Sequence, residues 1–239
     1  MFQAALFLAL LCQDDGAARQ AIEKFRSAYA KPDASARAAA VTELAGTRHD
    51  LVLRKLAVLL LTDEKEVRIA AAKGLGGFQE QKKNAAAALT GALDPNHKAR
   101  MPDVEAAILQ ALGTLKEEES LPAIHKCFRR RETAVAGAAI TAVESINSPK
   151  HSVGPLIEAL RDFEKTVKMG DSGGGVAGLG GLLALPGGGD ETKHARTLRD
   201  QIIKTFQKWT GQKWPTAGEW EIWWDRQQKK GGCPKGNRK

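Results

Sequence analysis

The sequence predicts an all-α protein, an α-solenoid of about five antiparallel helix pairs. One pattern occurs four times: a small or β-branched residue, then alanine three positions later, then an aliphatic residue five positions beyond. Counted between the first residues of the copies (36, 67, 104 and 135), the steps are 31, 37 and 31 residues, a period typical of helical repeat arrays. Helix-stopping residues follow each copy. The copies are Ala36/Ala39/Leu44, Val67/Ala70/Leu75, Val104/Ala107/Leu112 and Val135/Ala138/Val143.

Each copy predicts an amphipathic helix. Offsets of 0, +3, +4 and +8 share one face of a helix with 3.6 residues per turn. Alanine within this stripe lets a neighbouring helix approach closely. Because one helix pair cannot bury its stripe alone, we expect the pairs to stack. Left-handed residues are expected at the helix ends, and the candidates are Gly46, Gly76, Gly77, Gly113 and Asn147.

Partner helices are predicted between the stripes. Pro122 and Pro155 are expected near the starts of two of them, where a missing N–H is tolerated. A fifth copy is predicted at Ala195, Leu198 and Ile203, and residues 14–32 predict a capping helix with one apolar face. The predicted partner helices cover residues 49–61, 80–93, 120–130, 152–167 and 218–229.

The segment from Thr62 to Gly76 resembles the first helix of a HEAT repeat. Arg37 and Arg68 stand where that family usually has an arginine, whereas Glu105 and Ala136 depart from the pattern. The resemblance extends over residues 33–168 and implies the fold alone. The closing motif T-G-x-x-W-P-x-x-x-x-W-x-x-W-W-D resembles the end of exported bacterial HEAT-repeat proteins, which implies a tryptophan-rich structural cap.

The chain divides into six predicted regions. A glycine-rich stretch explains why the fourth and fifth copies are about one repeat further apart than the others. The regions are a signal peptide (1–13), an N-terminal capping helix (14–32), HEAT-like repeats (33–168), a glycine-rich flexible insertion (169–190), a last helix pair with the tryptophan-rich cap (191–230) and a basic disordered tail (231–239).

The formal net charge of +8 is concentrated at the C-terminus. Six Lys or Arg and no acid lie in residues 226–239, so the remaining body is close to neutral. A short basic tail is typical of a solvated chain end. We therefore expect a protein partner and not nucleic acid, and the oligomeric state stays open.

Two groups of residues are candidate binding sites. The basic group could line the inner surface of the array, although favourable interaction of a solvated helix end with the helix dipole explains the same residues. Trp223 and Trp224 are adjacent and cannot both point fully inward, so one of them could be an exposed aromatic contact, while a structural cap is the preferred interpretation. The basic candidates are Arg54, Lys55, His125, Lys126, Arg129 and Arg130, with Arg131 beside them.

No residue set specifies a reaction, a cofactor or a metal. Residues 170–174 spell the sequence around a chymotrypsin-type serine nucleophile, but no period-2 strands surround them. Phosphate-loop and dinucleotide motifs are absent. Cys127 is expected to be a buried small hydrophobe, and a disulfide with Cys233 is not required by the spacing.

The preferred function is therefore a non-enzymatic scaffold that binds a protein in the bacterial cell envelope. The alternative is a HEAT-like DNA-binding or DNA glycosylase-type protein, although residues 33–208 contain no tryptophan and phenylalanine is the only aromatic residue there. A third hypothesis is a lyase or isomerase acting on a linear tetrapyrrole, which only the fold supports.

Export to the periplasm or envelope is expected because residues 2–12 are apolar and too short to span a membrane. Whether this leader is cleaved or carries lipid on Cys12 stays open, and an apolar packing helix in a cytoplasmic protein is the alternative. Mass spectrometry of the protein from fractionated cells should find a mature N-terminus near Gln13 in the envelope or medium. Recovery of intact Met1 from the cytoplasm would contradict export.

Overall fold

The computed structural model describes residues 2–30, 33–93, 101–172 and 188–230. Within these ranges the secondary structure is helical and contains no strand, which confirms the all-α prediction. The helices are α1 (Phe2–Tyr29), α2 (Ala34–Leu44), α3 (Asp50–Thr62), α4 (Lys65–Leu75), α5 (Lys82–Ala92), α6 (Pro102–Leu115), α7 (Leu121–His125), α8 (Thr133–Ile146), α9 (Pro149–Ser172), α10 (Gly188–Thr210) and α11 (Ala217–Lys229).

The helices form two compact units, residues 1–120 and 121–239. In the first unit, α4 packs between α2 and α6 and makes one layer with them, while α3 packs on α4 and α5. Helix α1 lies against α2 and α3 at the start of the stack. These contacts are those expected of stacked helix pairs in a solenoid, and the role of residues 14–32 as a cap stays a prediction.

The second unit also consists of helices packed on their neighbours, and two of them, α9 and α10, are longer than any helix from α2 to α6. Helix α10 packs against both α8 and α9, and α9 also contacts α7 and α11. The predicted partner helix over residues 120–130 is shorter than expected, since α7 contains 5 residues. Helix α9 is longer than expected and begins at Pro149, so Pro155 lies inside the helix and not at its start.

The helices flanking the predicted insertion extend into it. Helix α9 continues to Ser172, and α10 begins at Gly188, so the predicted region 169–190 is helical at both of its ends. Residues 173–187 and the tail from 231 lie outside the described residues, as do His97 and Cys233. Helix α1 runs through the predicted boundary between residues 13 and 14 without interruption.

The ends of the second, third and fourth apolar stripes are buried, whereas Ala36 at the start of the first is half-buried, and the predicted alanine is not always central. Val67 and Leu75 of α4 are fully buried, whereas Ala70 is half-buried and Ala71 is fully buried. The same shift occurs in α8, where Ala139 is buried and Ala138 is half-buried. At about 100° per residue, offset +4 lies in the middle of the arc from offset 0 to offset +8, whereas offset +3 lies about 60° outside that arc.

Two of the predicted helix stops are confirmed, since α2 ends at Leu44 and α4 at Leu75, but none of the predicted glycines is left-handed. Gly113 lies inside α6, and the left-handed residue after that helix is Lys116, with φ 52°. Gly76 is right-handed, with φ −59°. Asn147 is left-handed as predicted, with φ 57°, and among the described glycines Gly211 alone has a positive φ, 72°.

Glycines in and after α4 instead allow close helix packing. A Cβ atom on Gly74 would lie 2.7 Å from the Ala45 side chain, and one on Gly76 would lie 3.0 Å from the Ala111 side chain. Real Cβ atoms essentially never approach as closely as the first of these distances. The missing side chain at Gly74 therefore sets how near α4 comes to the end of α2.

Two arginines connect successive repeats of the first unit. Arg37 on α2 forms an ion pair with Glu64, Nη2 to Oε1 2.9 Å, immediately before α4. Arg68 on α4 is buried, donates from Nε to the Leu60 carbonyl at 2.8 Å, and brings Nη1 to 4.0 Å from the sulfur of Met101, immediately before α6. Each arginine therefore contacts the residue that precedes the next helix of its layer.

Replacing Gly74 by alanine should destabilise the first unit by about 1–3 kcal/mol, because the added methyl group overpacks the contact with Ala45. The matched control is Gly91→Ala on α5, where a Cβ meets no atom within 4 Å. That change should be neutral or stabilising by up to about 1 kcal/mol, because alanine favours helix. Urea denaturation followed by far-ultraviolet circular dichroism measures both, and equal stability of the two variants would contradict the packing argument.

Candidate functional site

A groove of about 630 Å³ lies in the second unit. Helices α9 and α10 form its walls, and the connection between α10 and α11 closes one side. We call it the α9–α10 groove. Its lining residues are Glu164, Val167, Lys168, Arg199, Asp200, Ile203, Gln207, Lys213, Trp214, Pro215 and Thr216.

The connection over residues 211–216 is held at both ends. Gly211 adopts the left-handed conformation that ends α10. Thr216 and Glu219 form a capping box at the start of α11. The next backbone N–H, of Ala217, donates to Glu164 Oε1 on α9 at 2.8 Å. The wall of the groove that this connection forms is therefore fixed by hydrogen bonds and not only by packing.

A cluster of aromatic rings supports the same wall. Trp220 is 0% exposed, and its indole N–H donates to the Trp214 carbonyl at 2.9 Å. The Trp214 ring meets the Trp220 ring edge-on at 4.7 Å, and the Trp220 ring lies 4.6 Å from the ring of Phe206 on α10. Trp214 is half-buried and lines the groove. The buried tryptophan thus positions the partly exposed one.

The groove has a mixed but slightly positive lining. Arg199 and Asp200 pair with each other, Nη2 to Oδ1 2.8 Å, and Glu164 already accepts the Ala217 N–H. The ammonium groups of Lys168 and Lys213 form no ion pair or hydrogen bond with any other described residue. Apolar surface comes from Val167, Ile203, Trp214 and Pro215. Apolar walls with a few unpaired charges are suited to binding.

The described residues contain no group of three or more histidine, cysteine, aspartate or glutamate side chains that could hold a metal ion. Residues 170–172, the described part of the stretch that spells a serine-nucleophile sequence, form the end of α9. That backbone is helical, so it does not reproduce the loop a serine protease needs. Cys127 is buried as predicted.

The predicted basic residues of the first unit are engaged locally. Arg54 is exposed on α3 and forms an ion pair with Asp50, Nη2 to Oδ2 2.6 Å, one turn away. Lys55 lies on the other side of α3, with its Nζ 5.8 Å from the centre of the Phe25 ring on α1. Both basic side chains therefore have contacts within α1 and α3. Their role in binding stays a prediction.

The basic group of the second unit carries less free charge than its sequence suggests. Burial, and secondarily the nearby His151, lowers the pKa of His125 to about 4, so its ring is neutral at pH 7. Arg129 forms ion pairs with Asp162, Nε to Oδ2 2.7 Å, and with Glu158 on α9. Lys126 is exposed, and Arg130 is half-buried. Their role in binding also stays a prediction.

Trp223 and Trp224 are both half-buried, so neither is the fully exposed contact. Their ring centres are 6.1 Å apart, and Trp223 packs edge-on against Trp220 at 5.8 Å. The most exposed apolar residue of α11 is Ile222, at 55%. Of the three tryptophans of α11, Trp220 alone is in the core.

Sequence reasoning missed the α9–α10 groove. It placed Trp214 and Pro215 in the tryptophan-rich closing motif and did not connect them with Lys168 or Arg199. A lysine immediately before the tryptophan–proline pair is the one local signal for the site. The remaining lining depends on how α9 and α10 align, which no local pattern encodes.

The stacked helix pairs define an α-solenoid repeat protein. Residues 22–101 match the family model of HEAT repeats, which supports the resemblance of the helices from α2 to α5 to HEAT repeats. Such repeats generally serve as scaffolds for protein interaction and are typically not enzymes. A comparison with curated proteins gives no match. Among the residues that the structure describes, no helix combines the length and the apolar character needed to cross a membrane.

Replacing Trp220 by phenylalanine should destabilise the cap by about 1–3 kcal/mol, because it removes the indole N–H and leaves the Trp214 carbonyl without its donor. The control is Trp224→Phe, a half-buried tryptophan on the same helix, which should change stability by less than about 0.5 kcal/mol. Urea denaturation compares the two variants. An equal effect would show that the hydrogen bond does not fix the wall.

Proposed function

We propose that this protein is a non-enzymatic scaffold that binds a protein partner in the bacterial cell envelope. The observation that carries the proposal is the stack of HEAT-type helix pairs, since such repeats are scaffolds for protein interaction. The preformed α9–α10 groove adds a surface with the size and lining of a binding site. Placement in the envelope rests on the apolar leader in residues 2–12 and on the tryptophan-rich closing motif.

The charge distribution supports a protein partner over nucleic acid. Binding to a duplex needs several cations free to contact phosphates. In the second unit Arg129 pairs with α9, Arg161 pairs with Glu221 at 2.5 Å, and Arg196 pairs with Asp171. Six of the cations responsible for the net charge lie in residues 226–239.

The proposal is tested by photo-crosslinking in the native host. A benzophenone amino acid is placed at Lys213 in the groove, at Val58 on the exposed face of α3, and at Ser35 on α2 as a control in the other layer. We expect one polypeptide to be captured at Lys213 or Val58 and not at Ser35. The purified pair should then bind with a Kd of about 1 μM or tighter, as measured by calorimetry.

Two results would overturn this function. One is turnover of a substrate by a purified chain that captures no polypeptide at any position. The other is duplex binding that weakens steeply with salt and survives deletion of residues 226–239, which would favour the DNA-binding alternative.

A further inference from the structure

We infer that the α9–α10 groove binds an acidic peptide segment through one large apolar side chain flanked by carboxylates. This inference rests on the proposed scaffold function and specifies the chemistry of the partner. Three features of the groove carry it: its apolar lining, the state of its charges, and the rigidity of its wall.

The apolar lining provides a place for one anchoring side chain. Ile203 and Trp214 are half-buried, Pro215 is exposed, and Val167 lies beneath them at 7% exposure. Peptide interfaces concentrate their binding energy in one or a few such anchors. A volume of about 630 Å³ is within the range of ligand pockets and accommodates an anchor together with its neighbours.

The charges of the groove favour carboxylates beside that anchor. Lys168 projects from α9 and Lys213 from the connection before Trp214, and neither ammonium has a partner among the described residues. Arg199 and Asp200 satisfy each other, and Glu164 is engaged at the start of α11. With three cations and two anions the lining carries a net charge of +1. An acidic segment complements this charge.

The wall that carries Trp214 is already fixed before a peptide binds. The Trp214 carbonyl holds the indole of Trp220, and the following residues are tied to Glu164 and Glu219. A preformed site avoids the loss of conformational freedom that a flexible loop would undergo on binding. The apolar anchor therefore meets an aromatic surface that is already in place.

Other occupants fit the groove less well. The chain's own tail is basic, so the two free lysines would repel it. Nucleic acid would place phosphates beside Asp200 and Glu164, and two free cations are few for a polyanion. A second copy of the chain would have to present an acidic segment with an exposed apolar residue.

The test uses the full chain and a fluorescein-labelled peptide with a central leucine flanked on each side by aspartates. Fluorescence anisotropy should show saturable binding that weakens when salt is raised from about 50 to 500 mM. A peptide with serine in place of leucine, and one with asparagine in place of each aspartate, should each bind at least about tenfold more weakly.

Variants locate the binding to the groove. The double variant Lys168→Glu/Lys213→Glu should weaken binding about tenfold, whereas Lys73→Glu, at an exposed lysine on α4, should have no effect. Trp214→Ala should weaken binding at least tenfold, and Ile222→Ala, a change at an exposed apolar residue of α11, is its control. Lys168 and Lys213 are exposed, so the double lysine variant still tests the groove if loss of Trp214 disturbs the cap.

Several outcomes would overturn the inference. These are no saturation by the acidic peptide, equal binding of the asparagine peptide, no effect of the double lysine variant, tighter binding of a single-stranded oligonucleotide at the same site, or self-association that the lysine changes abolish. If crosslinking captures a partner at Val58 and the double lysine variant binds it normally, the groove inference fails while the scaffold function stands.

Discussion

A helix of this chain can bury its apolar face only when another helix covers it, and most other features depend on this constraint. Helix α4 lies between α2 and α6 for this reason, and its inner residues Val67, Ala71 and Leu75 are fully buried. The same requirement places α10 against both α8 and α9. A fold of this kind grows by contacts between neighbours and needs no single central core.

Helix α11 meets the constraint with large side chains. Helix α11 packs on α9 and brings Trp220 against Phe206 and Trp214. The connection between α10 and α11 passes along the edges of α9 and α10. Together with these two helices it lines the α9–α10 groove. The element that closes the fold thus also produces its most distinctive surface.

Periodicity was sufficient to predict the helices, because an apolar stripe with a period of 3.6 residues is a local property. Periodicity was not sufficient to predict the role of the glycines. Gly74 has no side chain because α4 approaches Ala45 closely, and that contact joins residues far apart in sequence. Nor could it show that Arg129 pairs with Asp162, since that depends on how the turn after α7 lies against α9. The groove was missed for the same reason.

The placement of the tryptophans has a spectroscopic consequence. All five lie after residue 208, and every one of them belongs to the second unit. Indole emission excited at long wavelength therefore reports on the closing helices alone, while the ellipticity of the backbone averages over every helix. Comparing the two signals during denaturation separates unfolding of α10 and α11 from unfolding of the first unit, with no label added to the chain.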